Sequence, residues 1–324
     1  MSVSIDLRLD ATDERTLAED VLDGLTRPFK ELPPKHFYDA RGSELFELIC
    51  ALPEYYPTRT ERAILAARAA EIAEATGASE VVELGAGYAT KTRVLLDALA
   101  DAGTLRRFVP VDVSEITVRA CAEQLAAEYD GLQVHGLVGD FERHLDHLPE
   151  PDGARLVVFL GGTLGNFLPG ARRRFLRTLR GRLGPRDHLL LGTDLVKDPA
   201  VLEAAYDDAQ GVTAEFNRNV LHVLNRTLGA DFDVEQFEHV AFFDRDHEWI
   251  EMRLRARSRQ VVWVEEVGLT VRFAAREELR TEISAKFTAE RLDDDLRAAG
   301  LDLVRWMTDP DELFAVTLSR PRPR

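Results

Sequence analysis

One stretch of the sequence decides the fold: Val82-Glu83-Leu84-Gly85-Ala86-Gly87-Tyr88-Ala89-Thr90-Lys91-Thr92. The residues at 80–84 predict a short buried strand, and helical spacing follows from Lys91. The two glycines between them allow the backbone to turn sharply and to approach a ligand closely. A dinucleotide-binding turn would carry a third glycine where this chain has Thr90, and the Walker spacing is absent. The stretch therefore disfavours NAD and ATP as ligands, although a purely structural turn would explain the two glycines equally well.

Strands and helices alternate along the chain on both sides of this turn. Further apolar strands are predicted at 108–112, 132–138, 156–160 and 188–191, and amphipathic helices separate them. Such an alternation is typical of a parallel sheet that is covered on both faces. The sequence predicts a doubly wound α/β domain, in which ligands bind at the carboxyl ends of the strands.

A second domain is indicated by a change of pattern after Val196. The segments at 238–243, 249–257 and 261–273 alternate polar and apolar residues, which suits consecutive antiparallel strands with a turn near Gly268. A final helix and two strands then return to the first pattern. We expect the α/β domain to comprise 60–196 plus 286–324, and a second, α+β domain to comprise 1–59 plus 197–285.

Composition and charge exclude several classes of partner. The 324 residues include 41 basic and 57 acidic side chains, so the formal net charge is −16, which repels nucleic acids and anionic membranes. From the pattern of the first residues we expect no export signal, and no apolar run reaches the ~20 residues that span a bilayer. His144 and His147 flank Asp146 without a third metal ligand, and the two cysteines, Cys50 and Cys121, predict buried free thiols. We expect a cytoplasmic monomer without a metal.

Acidic residues follow the second and third predicted strands of the α/β domain. Asp112 can accept hydrogen bonds from both hydroxyls of a ribose, and the pair Asp140-Phe141 suits an adenine amino group and ring. Each acid alone could equally be a helix N-cap. Together with the glycine turn, these features resemble the class I S-adenosylmethionine-dependent methyltransferases. This resemblance implies a Rossmann-like sheet and S-adenosyl-L-methionine as cofactor, with S-adenosyl-L-homocysteine as its product.

Longer blocks of sequence resemble one family within that class, the histidine Nα-methyltransferases of ergothioneine biosynthesis. The blocks lie at 35–46 (KHFYDARGSELF), 52–61 (LPEYYPTRTE), 159–167 (FLGGTLGNF), 191–198 (LGTDLVKD), 205–208 (AYDD), 216–219 (FNRN) and 281–284 (TEIS). The resemblance covers almost the whole chain. It implies trimethylation of the α-amino group of L-histidine, which gives hercynine in the first step of ergothioneine biosynthesis.

The resemblance also implies roles for individual residues. The positions that hold the cofactor are Gly85, Lys91, Asp112, Asp140 and Phe141. The positions that hold the amino acid are Tyr55, Asn166, Tyr206, Glu282, Ile283 and Ser284, with Tyr38, Phe46 and Met252 close by. Tyr38 and Asn166 are the candidates for positioning the reacting groups, and the sequence assigns no general base.

The chemistry of these residue types agrees with an amino-acid substrate. Phenols such as Tyr38 and Tyr206 can donate to a carboxylate, and the amide oxygen of Asn166 can orient an amine. An imidazole has two ring nitrogens, which Glu282 and Ser284 can bind together. These two residues would point to one face if their segment is a strand, since the side-chain period of a strand is two.

Alternatives remain open at this point. The same fold could methylate another amino acid, such as tryptophan or an indole derivative, and a nucleoside-binding module without turnover is a further possibility. Tyr55 could anchor a loop, Met252 could fill a core and Glu282 could be a surface acid. An aromatic ring such as that of Phe46 would tolerate a growing trimethylammonium group through cation–π attraction, which favours the methyltransferase interpretation.

Overall fold

The computed structural model describes residues 2–8 and 17–323, and these form two compact units. Within the described residues, the first unit comprises 2–8, 59–195 and 287–323, and the second comprises 17–58 and 196–286. Residues 9–16, which the sequence pattern assigned to the second domain, and residues 1 and 324 lie outside the described part of the chain.

Helices and strands make up most of the described chain. The helices are α1 Leu17–Leu25, α2 Ala40–Ala51, α3 Pro57–Thr76, α4 Arg93–Asp101, α5 Glu115–Glu128, α6 Pro169–Gly181, α7 Pro199–Tyr206, α8 Val212–Leu228 and α9 Ala289–Ala298. The strands are β1 Ser2–Leu7, β2 Lys30–Glu31, β3 Glu80–Leu84, β4 Arg107–Asp112, β5 Gln133–Val138, β6 Arg155–Phe159, β7 His188–Asp194, β8 Phe237–Asp244, β9 Trp249–Ala256, β10 Gln260–Val264, β11 Leu269–Phe273, β12 Glu278–Ala285, β13 Leu301–Thr308 and β14 Phe314–Pro321.

The first unit is built on an eight-stranded sheet in the order β1-β5-β4-β3-β6-β7-β14-β13. The strands from β1 to β7 in this order pair in parallel, and β14 and β13 follow in antiparallel pairs at one edge. Strand β3 is flanked by β4 on one side and by β6 on the other, so the strand order reverses there. In open α/β sheets such a switch point forms the crevice in which ligands bind. The predicted Rossmann-like sheet is confirmed, and the glycine turn follows the strand at its switch point.

The central strands are apolar because helices cover the sheet. Every residue of β3 and β6 is buried, and each buried Leu, Ile or Phe side chain stabilises the fold by roughly 1.5–3 kcal/mol. Glu80 is a buried acid within β3, and it is paired with both Arg107 and Arg155. The core around these strands includes Leu65, Ile72, Leu96, Phe108, Leu125 and Leu156.

Strand β1 occupies the edge of this sheet, where it pairs in parallel with β5. This position differs from the division drawn from the sequence, which placed 1–59 in the second domain. The alternation of Val3, Ile5 and Leu7 is compatible with any edge strand, since one face of such a strand stays accessible. Its partner is set by main-chain hydrogen bonds to a segment more than a hundred residues away, which the local pattern does not encode.

The second unit contains a four-stranded sheet in the order β2-β12-β9-β8. The pair β9–β8 is antiparallel, as the alternating pattern predicted, and β12, which that pattern did not include, also pairs antiparallel with β9. The segment predicted to turn near Gly268 forms the hairpin of β10 and β11, and Gly268 has a φ of 58°. Helix α8 ends at Leu228 and is capped by Gly229, which adopts the left-handed conformation that favours glycine, with a φ of 60°.

Two expectations from the sequence concern the burial of the cysteines and the absence of a segment that could span a membrane. Both cysteines are free thiols; Cys121 is buried, whereas Cys50 is partly exposed and lies 3.3 Å from the Thr58 hydroxyl, so the predicted burial is confirmed for Cys121 alone. None of the helices within residues 2–8 and 17–323 combines the length and the apolar composition that crossing a membrane requires.

Candidate active site

The predicted cofactor residues belong to the first unit, where the glycine turn links β3 to α4. Gly85 and Gly87 have φ values of 70° and 52°, in the left-handed region that favours glycine. The Gly85 amide donates to the carbonyl of Val111, which fixes the start of the turn against β4. The Gly87 amide donates to Asp112 Oδ2 at 3.0 Å. The main chain of the turn therefore lies beside the carboxyl ends of β3 and β4.

Asp112 ends strand β4 and is held by the main chain on both sides. Its Oδ2 accepts from the Gly87 amide, and its Oδ1 accepts from the Ser114 amide at 3.0 Å. Ser114 in turn caps helix α5, since its side chain accepts from the Thr117 amide. Each carboxylate oxygen can accept more than one hydrogen bond, so Asp112 is oriented and keeps accepting capacity for a ligand.

Asp140 and Phe141 follow strand β5 and are fixed by a buried histidine. The Asp140 amide donates to Nδ1 of His144 at 3.0 Å, and Asp140 Oδ1 accepts from the Glu142 amide at 2.8 Å. The ring of Phe141 packs edge-on against Phe159, with 5.2 Å between the centroids. A Cβ atom added at Gly85 would lie 3.8 Å from the Phe141 ring, so this ring lies beside the glycine turn.

His144 therefore has a structural contact, because its Nδ1 accepts from the main chain. In the described part of the chain, no cluster of three or more His, Cys, Asp and Glu side chains is arranged to hold a metal ion.

Lys91 forms an ion pair with Glu61, a residue that the sequence pattern left without a role. Both oxygens of the buried Glu61 carboxylate also accept from the Gly161 amide, at 2.8 and 3.1 Å. A Cβ atom at Gly192 would lie 1.8 Å from Glu61 Oε1, so β7 has no room for a side chain there. Glu61 thus connects α3, the glycine turn and the loop after β6. The signal that could have found it is its position in the 52–61 block.

Glu83 is a second acid to which the sequence pattern assigned no role. It lies buried in β3, where its Oε1 accepts from the Thr92 hydroxyl, while its Oε2 has no hydrogen-bond partner among the described residues. Burial raises the pKa of Glu83 to about 8, although Thr92 and Lys91 lower it. A buried carboxyl oxygen without a partner, beside the glycine turn, fits a ligand that presents a hydrogen-bond donor or a cationic group.

Asn166 lies in the loop that follows β6. Gly161 and Gly162 have φ values of 77° and 70°, and a 3₁₀ turn then runs over Thr163–Asn166. The turn is anchored by buried Leu164, whereas the side chain of Asn166 is partly exposed. Its amide forms no hydrogen bond with any residue that the structure describes, so both the oxygen and the NH₂ group are available to a ligand.

The second unit gathers five aromatic rings, four of which were predicted as site residues. The centroids are 5.6 Å apart for Tyr38 and Phe46, 6.2 Å for Phe46 and Tyr55, and 6.3 Å for Tyr55 and Tyr206. Phe216 on α8 completes the group at 5.7 Å from Tyr38. The first three pairs and the Phe216 pair are edge-on, a geometry that aromatic rings prefer. Burial raises the pKa of Tyr55 well above its usual value, so its phenol remains a donor.

Tyr38 is placed by the residues on either side of it. Asp39 caps α2, since its Oδ1 accepts from the Gly42 amide at 2.7 Å, and Asn219 Nδ2 donates to the same oxygen at 2.8 Å. A Cβ atom at Gly42 would lie 1.7 Å from the carbonyl oxygen of Phe37, so only glycine allows α2 to begin this close to the preceding turn. Tyr38 is 48% exposed as a whole residue, while burial of its phenol raises the pKa of Tyr38, so the phenol remains a donor.

Tyr206 and Ser284 are brought together around a buried lysine. Tyr206 OH donates to Ser284 Oγ at 2.8 Å, and Lys286 Nζ donates to both oxygens, at 2.8 Å for Ser284 and 3.0 Å for Tyr206. Lys286 was not among the predicted site residues. The spacing of 282, 284 and 286 by two residues was the available signal, since such residues share a face of an extended chain.

Glu282 lies on β12 opposite Met252 of β9. Met252 is buried, whereas Glu282 is partly buried and forms no hydrogen bond or ion pair within the described residues. Burial raises the pKa of Glu282 to about 7, although Lys286 lowers it. Ile283 pairs with Glu251 and lies on the opposite face from Glu282, so a ligand on the Glu282 face could reach Ile283 only through its main chain.

Comparisons with known proteins bear on this arrangement. Residues 17–321 match the family described as histidine-specific methyltransferase, SAM-dependent. The chain belongs to this family. It is 53% identical over 319 residues to the histidine N-alpha-methyltransferase of Mycolicibacterium smegmatis, with 98% of this chain and 99% of that protein covered. It is 54% identical over 303 residues to the same enzyme of Mycobacterium tuberculosis, with 94% of each covered. Ergothioneine biosynthesis protein 1 of Neurospora crassa is 31% identical over an alignment of 255 residues, with 73% of this chain and 29% of that protein covered.

Membership of the histidine-specific methyltransferase family confirms the resemblance drawn from the sequence blocks. Within the first unit, the predicted cofactor residues lie around the switch point of the sheet. Within the second unit, the predicted amino-acid residues lie around the aromatic rings and β12, whereas Asn166 belongs to the first unit. The individual roles of these residues stay predictions, and Glu61, Glu83, Phe216 and Lys286 join them as residues that the sequence pattern did not assign.

Proposed function

We propose that this histidine-specific methyltransferase transfers three methyl groups from S-adenosyl-L-methionine to the α-amino nitrogen of free L-histidine. The product is hercynine, and the reaction opens ergothioneine biosynthesis. The observation that carries the proposal is Glu282, a partly buried carboxyl group without a protein partner among the described residues, with Ser284 two residues along the same face. The names of the bacterial relatives and of the Neurospora protein support the same conclusion.

The first unit offers groups that fit S-adenosyl-L-methionine. Asp112 would accept from the ribose hydroxyls, Asp140 and Phe141 would hold the adenine, and the glycine turn would allow close approach of the main chain. Lys91 would contribute as part of its ion pair with Glu61, so it adds no net charge near a cationic ligand. When bound, the cofactor supplies an electrophilic methyl group on a sulfonium.

The second unit offers groups that fit the imidazole of histidine. Glu282 can accept from one ring N–H, and the Ser284 hydroxyl can bond the other ring nitrogen, so both polar atoms of the ring are satisfied. Met252 and the ring of Tyr55 would cover the apolar faces. An indole has one N–H donor and no second ring nitrogen, so Glu282 could accept from it but Ser284 would face a ring carbon without a partner. An indole is also larger, so Met252 would obstruct it.

The α-carboxylate would be held by phenols. Burial raises the pKa of Tyr38, so its phenol stays protonated and can donate directly. The Tyr206 phenol has one proton, which it donates to Ser284 Oγ, so it would have to turn this proton away from Ser284 to donate to a carboxylate. Ser284 Oγ would then still accept from Lys286 Nζ, which donates to both oxygens. Lys286 would therefore keep Tyr206 and Ser284 ordered during this change.

The amine has to be neutral and correctly oriented to react. Asn166 would orient it through its amide oxygen, which no described residue engages, and Tyr38 would help to position it; neither residue is a base. Surroundings made of aromatic rings disfavour an ammonium through desolvation and so lower the pKa of the amine. The same rings can face a quaternary ammonium, whose cation–π attraction allows methylated intermediates to remain bound.

Mass spectrometry tests the proposal directly. Purified protein incubated with S-adenosyl-L-methionine and a mixture of amino acids should convert histidine alone to a product heavier by three methyl groups. Glu282→Ala should weaken histidine binding by ~1–3 kcal/mol because an imidazole nitrogen loses its partner, measured by calorimetry in the presence of S-adenosyl-L-homocysteine. Glu266→Ala removes an exposed acid of the same unit and serves as the matched control. Methylation of tryptophan in preference to histidine, or of no amino acid, would contradict the proposal.

A further inference from the structure

Strand β12 contains a bulge immediately before Glu282. Arg280 pairs with Arg253 of β9, whereas Glu282 pairs with Met252, so the two positions 280 and 282 oppose consecutive residues of the partner strand. Thr281 is the extra residue. Because side chains alternate along a strand, Arg280 and Glu282 would share one face in a regular strand. The bulge instead places Glu282 on the face of Met252.

The face of the sheet opposite to Glu282 carries a network of ion pairs. Arg253 donates to Glu251 at 2.7 Å, and it also pairs with Glu278. Arg280 lies 3.4 Å from Glu251. A carboxylate turned to this face would meet these arginines and be neutralised by them. It would then have no accepting capacity left for an imidazole.

The bulge is locked by helix α8. The Thr281 hydroxyl lies 2.6 Å from Asn217 Oδ1 and 3.0 Å from the Met252 carbonyl, and it shares its proton between these acceptors. The Asn217 amide cannot be turned around, since its NH₂ group donates to His239 Nδ1 at 2.8 Å and to the Arg253 carbonyl at 3.1 Å. All of these groups are inside the unit, where an unsatisfied partner is costly.

The same hydrogen-bond network continues from Asn217 through His239 to Tyr206, another residue predicted to hold histidine. His239 accepts at Nδ1, so its proton is on Nε2, which donates to the Tyr206 carbonyl at 2.8 Å. Burial lowers the pKa of His239, which keeps the ring neutral and this tautomer fixed. A single chain of hydrogen bonds thus joins Thr281, beside Glu282, to the main chain of Tyr206, whose phenol contacts Ser284.

We propose that the bulge at Thr281, locked by Asn217, is a specificity-determining element that turns Glu282 and Ser284 toward the substrate and thereby selects an imidazole side chain. Thr281 and Asn217 are positioning residues, because they act through Glu282, Ser284 and Tyr206. The inference rests on the proposed function, which it deepens. It also accounts for two residues of the 216–219 and 281–284 blocks that the proposed function leaves without a role.

Thr281→Val tests the lock, since it keeps the shape of the side chain and removes the hydroxyl. We expect KM for histidine to rise at least about tenfold, because a displaced carboxylate loses a charge-assisted hydrogen bond to the ring. The Kd for S-adenosyl-L-homocysteine should stay within about twofold of the wild-type value, since Thr281 belongs to the second unit and the residues predicted to hold the cofactor belong to the first. Thr281→Ser restores the hydroxyl and should restore KM.

Thr317→Val is the matched control. Thr317 is equally buried, in β14 of the first unit, and its hydroxyl has no hydrogen-bond partner among the described residues. This variant should leave both ligand constants unchanged. An unchanged KM in Thr281→Val would overturn the inference. Equal losses of both ligands, or no rescue by Thr281→Ser, would also overturn it, since either result reports a purely structural role. Failure of the proposed function is seen separately, as absence of histidine methylation by the wild-type protein.

Discussion

Replacing Glu282 with Gln should stabilise the protein and weaken substrate binding at the same time. Burial raises the pKa of this carboxyl group from its usual 4.5 to about 7. Between these two values the native state holds a proton that the unfolded state has released. Native stability therefore falls as pH rises through this window, and the loss is complete above pH 7. Gln is uncharged at every pH, so the variant lacks this loss.

The magnitude follows from the shift. At about 1.4 kcal/mol per pKa unit, a rise from 4.5 to about 7 corresponds to an upper value of about 3.5 kcal/mol. Glu282 is only partly buried, so water screens its charge and we expect about 1–2 kcal/mol. Glu282→Gln should thus unfold at higher urea concentration than the wild type at pH 8, and at the same concentration at pH 4.5.

Urea unfolding of the protein without ligands, followed by circular dichroism, checks this expectation at both pH values. Histidine binding at pH 8 should weaken in the same variant by ~1–3 kcal/mol, because the amide is a weaker acceptor than the carboxylate. Glu266→Gln changes an exposed acid of the same unit and should change neither quantity. A Glu282→Gln variant that is less stable than the wild type at pH 8, or equally shifted at pH 4.5, would refute the reasoning.

Two further changes have effects that the structure predicts. Asp112→Ala removes the carboxylate that orients Gly87 and Ser114, so the Kd for S-adenosyl-L-homocysteine should rise by the equivalent of ~1–3 kcal/mol, as calorimetry would show; an unchanged Kd would remove Asp112 from the cofactor site. Gly42→Ala places a methyl group 1.7 Å from the Phe37 carbonyl oxygen, so α2 has to shift and stability should fall by ~1–3 kcal/mol in urea unfolding, whereas Ser43→Ala at an exposed neighbouring position should have almost no effect.

The sequence by itself determined the architecture of the first unit. Short apolar strands alternate with amphipathic helices, and this periodicity is a local property that survives in the fold. Because the carboxyl ends of parallel strands meet at one edge, the glycine turn, Asp112 and Asp140 could be expected together from their positions after successive strands. The sequence also indicated Glu282 and Ser284 on one face, since a strand has a side-chain period of two.

Only the tertiary structure decided on which face of the sheet Glu282 and Ser284 lie. The bulge at Thr281 depends on Asn217, and the ion pair of Lys91 depends on Glu61, which lies 30 residues away in the chain. Strand β1 pairs with β5 through main-chain groups that every residue carries. Such contacts join distant segments, and their energies depend on burial and on partners that the folded chain brings together. A local pattern of residues therefore cannot specify them.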